Sequence, residues 1–356
     1  MGLETEKLDK YLCLLDATGL DCAEVRLGEY TVRHYSSEEL AALLFSPSNS
    51  AECQMIAGCP WLLLEKLPPE QSDELGKQLH QCEMTSAHYA DGLTWYPFES
   101  VIQALNLLKP AENPVNPVQF YKIPAGFNSA RSSIERFIYA QPSYDSRREP
   151  YDSPPYPGYH IEESDVGAYQ ELTKKLTPIV SRSKADGPES PPSDHVRIAL
   201  DLFNMADRMF CTFSWKREML LLSLIQYSAA IEALFIKESE RGGMQTKLVK
   251  RVPQIISPPL EGSGDFITKM YWIRSKTAHG AWPLAELSAL IEYRADEGIA
   301  SESIPGGPYS TLFVQTNQGH GFLSNLRELA RRSIIYSLDE VSKGHTKEDV
   351  IKTLDG

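Results

Sequence analysis

The 356-residue chain has no run of about 18 uncharged apolar residues, the length a membrane-spanning helix needs. Its most apolar stretch, 219–236, carries Ser223, Gln226, Ser228 and Glu232, so a buried helix is expected there instead. No basic segment followed by an apolar one opens the sequence, which argues against a secretory leader. Glu6 stands where a myristoylation signal places Ser or Thr. Cysteine is sparse, with six residues at 13, 22, 53, 59, 82 and 211. That is the usage of a reduced, cytoplasmic protein rather than of a disulfide scaffold. There is no C-x2-C pair, and Cys53, Cys59, Cys82, His80 and His88 do not fall at zinc-knuckle spacing. G-x-S-x-G, phosphate-loop and dinucleotide-fold glycine patterns are also missing, which leaves esterase, NTPase and dehydrogenase readings without support.

What is present is enough for two globular domains. Hydrophobic residues make up 42% of the chain and charged residues 23%, ample for buried cores. The formal net charge is −13, which taken whole argues against a protein that coats nucleic acid or anionic membranes. The charge is unevenly placed. Residues 1–192 hold 16 Lys and Arg against 28 Asp and Glu, whereas residues 193–356 hold 19 against 20. The acidity therefore belongs to the first part, and the second is free to carry a local cationic site.

The two parts also differ in pattern. Val25, Leu27, Tyr30 and Val32 alternate with polar residues around Gly28-Glu29, predicting a hairpin. Ser36 and Glu39 have capping-box spacing before Leu40-Ala41-Ala42-Leu43-Leu44. Helices are expected at 69–89 and 98–109, and strands at 118–123 and 134–140. Residues 141–160 hold five prolines and four tyrosines and read as a long surface excursion. A helix over 165–180 precedes a linker-like run at 181–194, and the domain boundary is set at 185–194. Beyond it the pattern is helical: 194–213, 215–240, 244–256, 265–279 and 321–341. His320, between Gly319 and Gly321, is expected in the loop before the last of these. The fold class is thus α+β, a mixed α/β N-terminal domain (1–185) of sensory or regulatory role followed by an all-α helical domain (193–356).

The string most suggestive of chemistry is Tyr271-Trp272-Ile273-Arg274-Ser275-Lys276-Thr277-Ala278-His279-Gly280. A helix should end at Gly280. Five residues of helix turn through about 500°, so Arg274 and His279 point about 140° apart and lie about 7.5 Å apart along the axis. For both to act on one substrate, either the helix loosens before His279 or a second copy of the motif faces the first. Spacing alone points to an ordinary helix end, with a histidine near the C-terminal dipole, since Arg and His five apart is a common chance pairing.

This string, together with the upstream Ile231-Glu232-Ala233-Leu234, resembles the HEPN superfamily, and within it the Apea-like branch. That branch shows Tyr-x-x-Arg-Ser-x-x-x-His-Gly and an Ala/Ile-Glu-Ala-Leu helix, and the resemblance covers about 195–345. It implies a helical bundle with metal-independent endoribonuclease activity, needing no cofactor, of the anti-phage-defence or toxin type. It also implies a homodimer with a composite site, RNA as partner, and a phage-derived or regulatory protein as possible trigger. His279 would take the 2′-hydroxyl proton as general base, and Arg274 would stabilise the charge of the phosphorane, leaving 2′,3′-cyclic phosphate and 5′-hydroxyl ends. The alternative is a catalytically silent module for dimerisation or RNA binding, with function in the N-terminal domain.

Supporting roles stay open in the sequence. Ser275 either orients phosphate or bonds back to the preceding helical turn. Glu232 either orients Arg274 or His279, or lies on the solvent side. Lys276, Lys269, Arg327, Arg331 and Arg332 either guide RNA or form a solvated face. Tyr271 and Trp272 either stack on bases or pack in the core.

Overall fold

A computed structural model describes residues 10–16, 18–27, 30–44, 60–64, 99–109, 116–123, 135–138, 159–180, 193–212, 217–240, 242–256, 263–279 and 321–356. The expected helix at 69–89, the linker at 181–192, His320 and the cysteines and histidines at 53, 59, 80, 82 and 88 lie outside them, as does most of the Tyr/Pro segment. The chain divides into two compact units, Met1–Lys174 and Lys175–Gly356. The division falls inside a helix, ahead of the 185–194 boundary expected from linker composition.

In the first unit the elements are β1 (Lys10–Asp16), β2 (Thr18–Leu20), β3 (Glu24–Leu27), β4 (Tyr30–His34), α1 (Ser37–Leu44), β5 (Pro60–Leu64), α2 (Glu99–Leu108), β6 (Asn116–Ile123), β7 (Glu135–Ile138) and β8 (Tyr159–Ile161). A helix, α3 (Val166–Val180), follows. Six strands form one antiparallel sheet in the order β3-β4-β5-β1-β6-β7, and β2 pairs with β8 in parallel. The expected hairpin is there, with Leu27 opposite Tyr30 and Val25 opposite Val32. Its alternation has the predicted consequence, since Val25, Leu27 and Val32 are buried. The capping box is also formed: Glu39 N–H donates to Ser36 Oγ at 3.1 Å, and Ser36 N–H to Glu39 Oε2 at 2.9 Å. Burial pushes the Cys13 thiol well above its ordinary range, so it is an inert core residue.

The second unit contains α4 (Asp194–Thr212), α5 (Arg217–Phe235), α6 (Met244–Arg251), α7 (Ser263–Ala278), α8 (Gly321–Ser342) and α9 (Lys347–Asp355). The centre is α5, which packs against α4, α7 and α8. It buries Leu221, Leu224, Tyr227, Ile231, Leu234 and Phe235 around most of its circumference. Ser223 and Ser228 are tolerated there because each hydroxyl donates to the carbonyl four residues back, at 2.9 and 2.8 Å.

Two buried arginines tie the helices together. Arg327 of α8 donates from Nε and Nη2 to the two carboxylate oxygens of Asp207 on α4, at 2.8 and 2.9 Å. The hydroxyl of Tyr227 on α5 also donates to Asp207, and the Arg327 guanidinium lies 5.4 Å from the centre of the Phe203 ring. Arg251, with a side chain only 2% exposed, holds both oxygens of Glu240, both of Asp355 and the carbonyl of Phe235 at the end of α5. The Arg251 guanidinium holds the Glu240 carboxyl down to about 2. That contribution to stability is complete above the ordinary carboxylate range and is lost only as pH falls toward 2.

Candidate active site

The motif helix, α7, docks through a narrow face. Ser263, Ile267, Met270 and Ile273 are its buried residues. On an ideal helix Arg274 lies about 35° from the centre of that face, whereas His279 lies almost diametrically opposite. The observed environments agree: the Arg274 side chain is 25% exposed and reaches inward, and His279 is exposed.

Arg274 is held by the acidic residue that the sequence singles out. Its Nη2 donates to Glu232 Oε2 of α5 at 2.8 Å, and its guanidinium carbon lies 5.8 Å from the centre of the Tyr271 ring. Of the two readings of Glu232, the orienting one is the geometry found, with Arg274 as the residue oriented. The carboxylate is 13% exposed, and its other oxygen is buried without a hydrogen-bond partner among the described residues. Burial raises the Glu232 pKa, outweighing the opposing pull of Arg274.

A stability prediction follows from that balance. Glu232→Ala leaves Arg274 without its acceptor and should cost about 1–3 kcal/mol. Glu232→Gln keeps an acceptor and removes the poorly solvated charge, so its urea midpoint at neutral pH should equal or exceed that of the parent. Because the folded pKa is raised, the parent sheds this burden as pH falls through it, and the gap between the parent and the Gln variant should narrow in acid.

The helix does not loosen before the histidine. His279 N–H donates to Ser275 O at 3.1 Å, continuing the helical ladder through the motif. Within one chain, therefore, Arg274 and His279 keep their divergent headings. The Ser275 hydroxyl makes no hydrogen bond among the described residues; the back-bonding hydroxyl is that of Thr277, which donates to Ile273 O at 2.9 Å. Ser275 is half-buried beside Arg274.

The structure separates the candidate RNA-guiding cations. Lys269 and Lys276 are exposed. Arg327 and Arg331 are not surface groups: their side chains are 3% and 9% exposed. Arg327 is consumed by Asp207, and Arg331 donates from two nitrogens to Glu328, which also accepts from Arg332 at 2.7 Å. These two arginines were indistinguishable from solvated cations in the sequence because their acid partners are Asp207, 120 positions away, and a neighbour whose own burial has no local signature. The aromatics separate as well. Tyr271 is half-buried, but Trp272 is 38% exposed, against the core-packing reading.

Among the described residues no group of three or more His, Cys, Asp or Glu side chains is placed to hold a metal ion. No helix among them is long and apolar enough to cross a membrane. No family model, curated protein or solved structure matches the chain.

Proposed function

We propose that the second unit is a HEPN-like bundle and that the protein is a cytoplasmic, metal-independent endoribonuclease acting as a homodimer. The observation that supports this best is the division of labour on α7, where Arg274 is braced by Glu232 while His279 stands exposed at the helix end. An arginine braced by an acid keeps its charge and a fixed fork of donors, which suits a developing phosphorane. An exposed imidazole can meet a 2′-hydroxyl and accept its proton. The 2′-oxygen then bonds to phosphorus, the bond to the 5′-oxygen breaks, and that oxygen leaves as the hydroxyl after taking a proton from water. The products are a 2′,3′-cyclic phosphate and a 5′-hydroxyl. The unbroken helix through His279 supports a composite site, in which Arg274 of one copy works with His279 of the other. The first unit would have a sensory or regulatory role, with a phage-derived or regulatory protein as trigger, in a defence or toxin function.

The test is product chemistry. Purified protein is incubated with an end-labelled RNA in EDTA, and fragment ends are identified by mass spectrometry. Cyclic phosphate ends from the parent and none from a His279→Ala preparation are expected. Equal cleavage by both preparations, or products with 3′-hydroxyl ends, would overturn the proposal. Intact, folded dimer that binds RNA without cutting it would favour the silent module instead, a reading to which the partial burial of Arg274 lends weight.

A further inference from the structure

Four side chains on the outer surface of α7 form a single stripe. Lys269, Trp272, Lys276 and His279 fall within an arc of about 80° and extend about 15 Å along the helix. All four are exposed. The Lys276 ammonium lies 4.6 Å from the centre of the Trp272 ring. Asp265, in the first turn, bounds the stripe at its N-terminal end.

This stripe combines cations without acid partners with an exposed aromatic. Arg197, Lys175, Lys247, Lys250, Arg251, Arg274, Arg327, Arg331, Arg332 and Lys343 all have acid partners. Lys269 and Lys276 have none among the described residues; the same holds for Lys237, Lys347 and Lys352, but of these five only Lys269 and Lys276 flank an exposed aromatic. A part-exposed aromatic between two cations without acid partners, one of them held against its ring, is an arrangement with a cation–π contact of its own. It is a good one for a polyanion with flat, unpaired bases, because stacking on an aromatic face and phosphate contact with flanking cations are the two forces that hold single strands.

From this we infer that the α7 stripe is a single-strand binding track, with Trp272 stacking on a base and Lys269 and Lys276 meeting the adjoining phosphates, so that the strand is laid against His279. Trp272 is a positioning residue here. The inference rests on the ribonuclease reading for the direction of the strand toward His279, but the track itself can be tested without cleavage.

The experiment measures fluorescence anisotropy of a labelled 2′-O-methyl 12-mer, which cannot be cleaved, with the full chain. Parent, Trp272→Ala, Trp272→Phe, Lys269→Glu/Lys276→Glu and the control Lys352→Glu are compared at two salt concentrations, with circular dichroism confirming the fold. Loss of one stacked base should weaken binding about tenfold or more for Trp272→Ala, with most affinity kept by Trp272→Phe. The double lysine variant should bind more weakly and show a salt slope shallower by about 1.4, the single-strand value for two phosphates. Lys352→Glu should match the parent.

The inference fails if the parent does not bind, if Trp272→Ala binds within twofold of it, or if duplex or polyglutamate competes as well as the single strand. It also fails if Trp272→Ala changes dimer dissociation in sedimentation and leaves RNA affinity alone, since Trp272 would then be an interface residue. Binding that depends on Trp272 together with cleavage that ignores His279 would sink the nuclease reading and leave the track standing.

Discussion

Arg327→Ala should destabilise the second unit by about 3–5 kcal/mol, the range for removing one partner of a buried ion pair. The substitution leaves Asp207, 2% exposed, with the Tyr227 hydroxyl as its remaining described side-chain donor. It also empties the space beside Phe203 and uncouples α8 from α4 and α5, which meet at this point. Chemical denaturation followed by far-ultraviolet circular dichroism would show a lower midpoint with an unchanged slope. The double variant Arg327→Met/Asp207→Leu should recover most of the loss, because replacing both charges with apolar groups removes the desolvation burden that a single substitution exposes. A single-variant loss below about 1 kcal/mol would mean that water reaches the pair, contrary to its burial.

Mixing two inactive variants should restore RNA cleavage. Taken singly, His279→Ala should lower the cleavage rate about 10²–10⁴-fold, the usual worth of a general base. Arg274→Ala should lower it about 10²–10³-fold, the usual worth of one oriented donor. If each site draws Arg274 from one subunit and His279 from the other, a mixed dimer regains one complete pair. Random exchange of the two variants should then return about a quarter of parental activity, since half the dimers are mixed and each has one intact site of two. Activity of an equimolar mixture is measured after incubation long enough for subunit exchange. A mixture no more active than its components would place both residues of a working site in the same chain, which the wound helix at His279 makes hard to build.

Much of the framework follows from local signals. The Ser36/Glu39 box, the Val25–Val32 hairpin and the helices from Asp194 onward depend on neighbours in sequence, and they occur where expected. The sequence expects one helix to run from 215 to 240, but α5 spans Arg217–Phe235, and Glu240 turns back to meet Arg251. That turn depends on a partner eleven residues away rather than on propensity. The last helix, α9, opens with a capping box of Thr346 and Asp349, but it has only nine residues and buries only Val350, Ile351 and Leu354, a stripe too short to stand out as a periodicity. The parallel pairing of β2 with β8 joins strands of three residues some 140 positions apart, too short to announce themselves.

The candidate site divides in the same way. Glu232 and Arg274 were identifiable from their motifs, and they do meet. Which cations face solvent was not legible, because a helix with arginines on several faces has no periodicity that distinguishes a buried pair from an exposed charge. Arg327, Lys269 and Lys276 look alike until the distant acids are placed.

The continuous winding of α7 through His279 also affects how activity would respond to dose. If one chain cannot bring its own arginine and histidine together, an isolated chain is inert, and the active species appears only on pairing. Well below the dissociation constant for pairing, the rate then grows as the square of the copy number. Doubling the protein would quadruple cleavage, and dilution would silence it without any inhibitor.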